Sequence, residues 1–435
     1  MALLYPFRGY RYDPRVVGPL DRVVTQPYDK ISPDLQRDCY ERSPYNVVRV
    51  TLSAEKNENP ETDYPQAGSA LARWIEEGAL VEDPEPVIYT YYQEYEVEGE
   101  RRLRKGFLAL LGLKTAGSGI LPHERTMAAP KLDRLRLMRR VECNEDPIFM
   151  LYTEEKLAVN RLLDAHAESS PPSIEVVDDY GATHRVWAIR DRAAARRIQE
   201  AMTIEELFIA DGHHRYETAL DFMKECESRG WKPAAVESFD KRLVACFNSA
   251  DAGITILPTH RIVRDLPRFE SAEFLRGAAH YFEVERVESA GDLVERMKKA
   301  RGNTHAFGFY SGDRGEFFLL VLRDEAKVDP LMLAHPEVYR HLDVAILHTL
   351  VLDRLLGIDE AKLVAESHVD YVRERDAAIR RVEEGSAQAA FFLNPTTVEA
   401  VQRVALVGER MPQKSTDFYP KLLTGLVFMK MKIQK

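Results

Sequence analysis

Apolar positions change period along this chain, and the changes mark out its elements. Residues 87–97 and 103–113, apolar-rich on either side of Glu98-Gly99-Glu100, predict a β-hairpin. Apolar runs at 147–152, 186–189 and 207–210 predict short strands, and 244–248 with 253–257 predict two more of the same sheet. Helical spacing marks 68–80, where Leu71, Trp74 and Ile75 share a stripe, and also 131–141 and 216–228. Ser32-Pro33 supplies an N-cap and a first-turn proline for a helix over 34–41. Residues 47–52 alternate like a strand, and polar 53–65 predicts a surface loop.

Beyond Pro267 the pattern changes. Runs at 282–287, 306–310 and 317–322 predict an antiparallel sheet turned at Ser311-Gly312-Asp313-Arg314-Gly315. Helical stretches at 344–356 and 372–384 accompany it, with short strands at 391–393 and 427–433. The fold class is α/β in the mixed, α+β sense. At 435 residues, two or three domains are expected. The boundaries fall as an N-terminal α/β segment 1–85, a core 86–267 and a C-terminal α+β domain 268–435.

Composition narrows the function classes. A formal charge of −10 argues against a general nucleic-acid or membrane-surface binder. The four cysteines, Cys39, Cys143, Cys226 and Cys246, have no paired spacing and suit reduced thiols in a cytosolic protein. Arginines and tyrosines interrupt MALLYPFRGYRYDP before any signal core, and no run suits a membrane span, so a cytoplasmic location is expected. GxxxxGK[ST], GxGxxG, GxSxG and kinase HRD or DFG patterns are missing from the sequence.

The most informative stretch is Ile209-Ala210-Asp211-Gly212-His213-His214-Arg215-Tyr216. An apolar strand, a glycine turn and a helix start make an anion site, because N–H groups and the positive dipole end converge there. Cations in a first turn are disfavoured unless an anion is bound. Arg215 is expected to fork onto phosphate oxygens, His213 or His214 to donate to them, and Asp211 to hold magnesium. Asp211 and Gly212 have an ordinary alternative role as N-cap and turn.

His123-Glu124-Arg125-Thr126 forms a second constellation, with Lys131 following. Glu124 is placed as a general base and Arg125 or Lys131 as phosphate clamps; a solvated loop capping the next helix is the alternative. Thr259-His260-Arg261 is expected at the mouth of a sheet, where α/β proteins bind ligands. Lys414-Ser415-Thr416, with Tyr419-Pro420-Lys421 after it, lies in a Pro-punctuated loop compatible with an anion. A zinc-type hydrolase using His213, His214 and His260 is disfavoured, since adjacent helical residues diverge by about 100°.

PYDKIS at 27–32, HERTMAAPKLDRLRLM at 123–138, IADGHHRYETAL at 209–220, ILPTHRIV at 256–263 and MPQKSTDFYPKL at 411–422 together resemble a bacterial and archaeal family labelled a domain of unknown function. More remotely, the middle of the chain is similar to the ParB/sulfiredoxin-like superfamily, its free-serine kinases in particular. Pro122-His123-Glu124, Asp146-Pro147-Ile148 and Asp211–Arg215 follow in the order those kinases use. The resemblance implies a ParB/sulfiredoxin-like core and a small-molecule phosphotransferase, a serine kinase forming O-phosphoserine. Glu124 would take the acceptor proton, while Asp211, His213, His214 and Arg215 hold the donor phosphates with Mg2+. Pyrophosphate, ADP and ATP remain open as donors. The partners expected are small molecules (amino acid, pyrophosphate or nucleotide), with no nucleic acid or membrane; a homo-oligomer stays open. The rival is a non-catalytic nucleotide-binding regulator.

Overall fold

The structure, a computed structural model, describes residues 3–52, 64–113, 119–202 and 206–435. It divides into two compact units that alternate along the chain. Residues 1–122, 126–254 and 420–435 make the first, and 123–125 with 255–419 the second.

Unit 1 is built on a nine-stranded mixed sheet. Its strands are β1 (Leu4–Tyr5), β2 (Ile88–Val97), β3 (Glu100–Gly112), β4 (Ile120–Pro122), β5 (Ile148–Tyr152), β6 (Ile174–Val177), β7 (Thr183–Ile189), β8 (Leu207–Asp211) and β9 (Lys241–Asn248). The order is β4-β8-β5-β9-β3-β2-β7-β6, with β1 also on β3. β4–β8 and β5–β9 are parallel; the other pairs are antiparallel. Glu98 and Gly99 both adopt positive φ, 53° and 79°, the backbone that a two-residue hairpin turn demands.

Central strands lose their alternation because both faces are covered. Phe107 to Leu111, Ile148 to Tyr152 and Leu243 to Phe247 are all at most 1% exposed. Helices α1 (Pro33–Arg42), α2 (Pro65–Glu76), α3 (Ala128–Val141), α4 (Ala158–Ser169), α5 (Arg192–Met202) and α6 (His213–Ser228) also belong to unit 1. Ser32 Oγ caps α1 by accepting from Leu35 N, as its sequence predicts.

Unit 2 carries a six-stranded antiparallel sheet of β10 (His260–Val263), β11 (Phe282–Val287), β12 (Ala306–Ser311), β13 (Glu316–Leu322), β14 (Val369–Val372) and β15 (Ala389–Phe392). The order is β11-β13-β12-β15-β10-β14. Ile262, Val287, Leu293, Met297, Leu319, Val382 and Phe392 form its buried core.

The mixed α/β class stands, and most elements fall where the pattern places them. Four placements differ. Residues 47–52 form a short helix, Val48–Thr51, because Asn46 Oδ1 accepts Val48 N at 2.9 Å and curls the backbone. Thr255–Leu257 leaves the sheet of unit 1 and pairs with Asp417–Tyr419 in unit 2, and the strand after it, β10, belongs to the antiparallel sheet. Thr259-His260-Arg261 therefore opens a strand of unit 2 rather than closing one of the core sheet. The stretch 344–356 starts as α-helix at Asp343–Ile346 and continues as π-helix over Leu347–Leu355. The stretch 372–384 is the end of β14 followed by the helix Arg375–Glu383. Most of the expected 53–65 loop lies outside the described residues. Helices α4 and α5 go beyond the expected elements. Among the described residues, no helix is long and apolar enough to cross a membrane.

Candidate functional site

In unit 1 the site begins where β8 gives way to α6. The β8–β5 register shifts between Ile209 and Asp211, and the chain then turns through Gly212 at φ +95°. Only glycine suits that position: a Cβ there would sit 2.9 Å from Arg215 Nη2 and 3.0 Å from its Nε. Gly212 N donates to Asp211 Oδ1 at 2.8 Å. The first helical bond runs from Tyr216 N to Gly212 O, so the N–H groups of residues 213–215 point off the helix end.

Arg215 departs from its expected outward role. It is 6% exposed and folds back under the turn. Its Nη1 donates to Asp146 Oδ2 at 2.8 Å and to Pro147 O at 2.9 Å. Burial alone would weaken its hold on the proton, but Asp146 and Asp211 outweigh burial and raise its pKa. Asp146 accepts from a second buried arginine, with Arg242 Nη2 2.8 Å from its Oδ1. A buried anion of the protein therefore already faces the first-turn cation. Arg215 is a positioning residue for the loop.

Outside the turn, Lys421 Nζ lies 3.2 Å from Asp211 Oδ2. Burial would raise the Asp211 carboxyl, but Lys421 and Arg215 outweigh it and hold the group well below the usual carboxylate range. Lys30 adds to that field. His213 is buried. His214 Nε2 accepts Met127 N at 2.9 Å, so that nitrogen carries no proton. Glu217 gathers the neighbouring candidates: its Oε2 accepts from Thr126 Oγ1 and lies 2.9 Å from Lys131 Nζ. These bonds overcome burial and lower the Glu217 pKa, and they raise that of Lys131.

The other expected residues fall in unit 2, where several that are far apart in sequence meet. Met411 N donates to His123 O at 2.7 Å, and His123 Nε2 lies 3.1 Å from Thr416 Oγ1. Lys414 N approaches Glu124 Oε1 at 3.4 Å, while Ser415 Oγ donates to Pro412 O. Arg261, 1% exposed, donates through Nη2 to Lys414 O and through Nε to His348 Nε2, each at 3.2 Å; its Nη1 donates to Thr259 O. Burial brings its pKa down to about 10. His260 is buried against Phe392, and burial together with Arg261 pushes it down to about 3. Arg125 stands apart from this cluster, paired with Glu360 at 2.9 Å on the surface.

The described residues hold no group of three side chains fit to ligate a metal, so the His213, His214 and His260 hydrolase has no site among them. Magnesium at Asp211 does not fit the donors as they stand: Oδ1 serves Gly212 N and Oδ2 serves Lys421. The sequence reading missed Arg242, Glu145 and Glu217, and it named Lys421 only as one of the lysines of the Pro-punctuated loop, without its partner. Lys421 and Asp211 stand 210 positions apart, and only the fold joins them.

No curated protein matches the sequence significantly. Among solved structures, the chain is similar to a conserved hypothetical protein from Pyrococcus furiosus, with TM-score 0.33 and 13% identity over 70% of this chain and 90% of that one. It is similar to a free serine kinase in complex with AMP, with TM-score 0.34 and 12% identity over 69% and 83%. SbnI with a C-terminal truncation, from Staphylococcus aureus, gives TM-score 0.33 and 12% identity over 73% and 85%. The model of a family described as protein of unknown function, DUF1015, matches residues 4–345. The chain belongs to the DUF1015 family.

Proposed function

We propose that the protein is a small-molecule phosphotransferase whose donor phosphates rest on the opening turn of α6. One observation carries the reading: the positive end of α6 is flanked by Lys421, Arg215 and Lys30, all acting on the single carboxylate Asp211. An arriving phosphate would draw Lys421 from Asp211 and take the helix N–H groups as further donors. Arg215, tied to Asp146, keeps the turn in shape for it. Lys421 supplies positive charge where magnesium was expected, so no step here runs through a metal.

The favoured acceptor is the hydroxyl of serine, with Glu124 as its base. This part rests on the order of Pro122-His123-Glu124, Asp146-Pro147-Ile148 and Asp211–Arg215 along the sequence. The regulator reading keeps one argument of its own: the Asp211 oxygens and His214 Nε2 already hold partners, which suits binding without turnover.

Incubation with labelled pyrophosphate, ADP or ATP and serine tests both. Labelled phosphoserine is expected, and Glu124→Gln should abolish it. Lys421→Met should weaken donor binding by about 10- to 100-fold, the loss of one charge-assisted bond of roughly 1.5–3 kcal/mol. Donor binding without product favours the regulator. If none of the three donors binds, the phosphate site itself is lost.

A further inference from the structure

Unit 2 buries a cation that no acid of its own offsets. Arg261, near the start of β10, is 1% exposed, yet no carboxylate pairs with it among the described residues. The acids on the segments packed around it are spent elsewhere: Asp417 on Arg373, Asp370 on Arg264 and Arg381, and Glu124 toward Lys414 N. Glu366 is exposed and acts on Tyr371. The guanidinium donates to Thr259 O, Lys414 O and His348 Nε2, which uses three of its five N–H groups and leaves one on each Nη. Holding two loop carbonyls needs no charge, and a buried charge left unpaired costs several kcal/mol.

Two further donors stand beside it. The Tyr371 ring centre lies 5.3 Å from the guanidinium carbon, and the Tyr371 hydroxyl is buried with no hydrogen-bond partner. A buried hydroxyl in that state calls for an acceptor. Because arginine only donates, His348 Nε2 accepts, and burial beside Arg261 keeps this imidazole neutral. Its proton therefore sits on Nδ1, which has no acceptor among the described residues. His348 is the second residue of the π-helix Leu347–Leu355, a widened turn of the kind that recurs at functional sites. Solvent reaches both His348 and Tyr371, which are half-buried.

We propose that Arg261, His348 and Tyr371 bind the carboxylate of a small organic acid. Its single negative charge matches one guanidinium, where a phosphate dianion would overbalance it. Its two oxygens offer lone pairs for the two spare guanidinium N–H groups, the imidazole N–H and the hydroxyl. All three residues belong to unit 2, and the proposal does not rest on phosphate transfer.

Trifluoroacetate titrated into the full chain and followed by fluorine NMR should show saturable line broadening, and uncharged trifluoroacetamide should show none. Tyr371→Phe, which removes one hydroxyl, should weaken the binding by about tenfold or more, the worth of one hydrogen bond to a charged group. Arg261→Met should abolish it, and Tyr371→Phe decides the matter if that chain does not fold. Crystals soaked in acetate should show the carboxylate against the Arg261 guanidinium. Equal saturation by trifluoroacetamide, or equal affinity of Tyr371→Phe and the unaltered chain, overturns the proposal. So does displacement of trifluoroacetate by equimolar inorganic phosphate, or an acetate-soaked crystal with only water beside Arg261.

Discussion

Asp146→Asn tests the electrostatic core of unit 1. Asp146 is 3% exposed and sits 2.8 Å from each of two buried guanidinium groups. Asparagine keeps the shape and one acceptor but removes the charge that Arg215 and Arg242 share. At an effective dielectric of about 20, each unit-charge pair near 4 Å contributes about 4 kcal/mol. The stranded arginines recover part of this by drawing in water and other acceptors, which leaves a net loss of about 3–5 kcal/mol. All three tryptophans, Trp74, Trp187 and Trp231, belong to unit 1, so indole fluorescence reports its unfolding. With a urea slope of roughly 2–3 kcal/mol per molar, the midpoint should drop by about 1–2 M. Replacing Arg242 by Met in the same chain should restore about half of the loss, because one unpaired charge goes with it. A midpoint within about 0.3 M of the unaltered protein refutes the assignment of Asp146 as the shared counter-ion.

Three further outcomes follow from the same geometry. Gly212→Ala should cost about 1–2 kcal/mol, because φ is +95° and the new methyl meets Arg215; an unchanged calorimetric melting temperature would show that the turn tolerates a side chain. Glu145 is raised when folded, so its favourable share is fully present below an unfolded pKa near 4.3 and is lost as pH rises through about 7, on the order of 3 kcal/mol in all. Glu145→Gln should flatten that decline in unit 1, and an unaltered slope would contradict it. His260, held down to about 3, is neutral in the fold, so unit 2 loses stability as pH falls from about 6.5 toward 3. His260→Gln should soften the acid loss between pH 6.5 and 4 by calorimetry, and equal losses in both proteins would discount His260.

The hairpin of β2 and β3 was legible because its information is local: two apolar-rich runs flank Glu98-Gly99, and a two-residue turn there fixes the register of Val97 opposite Glu100. The start of α6 was legible for the same reason, since Asp-Gly after an apolar run forces a turn. The segment at 47–52 misled because the same Val-Val-x-Val spacing fits a strand face, and a single side-chain bond from Asn46 decides otherwise. Thr259-His260-Arg261 was recognised as polar chemistry but assigned to the wrong sheet, since strand partners are set by long-range register. The role of Arg215 was the instructive error. Its electrostatic puzzle, a cation on a helix N-terminus, was sound, but the balancing anion was Asp146, 69 positions earlier, which no local pattern announces.

The return of 420–435 to unit 1 bears on when that unit can complete its contacts. Lys421 reaches Asp211, Thr424 exchanges backbone bonds with Thr25, and Met429 pairs with Asn144, so three earlier regions wait for this last segment. At ribosomal speeds of about 5–20 residues per second, the interval from residue 254 to 435 lasts roughly 10–40 s. Until residue 421 is made, Asp211 has Lys30 in its field but lacks Lys421. A nascent chain therefore completes the Asp211–Lys421 pair only after residue 421 is made, and a protein clipped before Pro420 would hold every residue of the Asp-Gly turn while lacking Lys421.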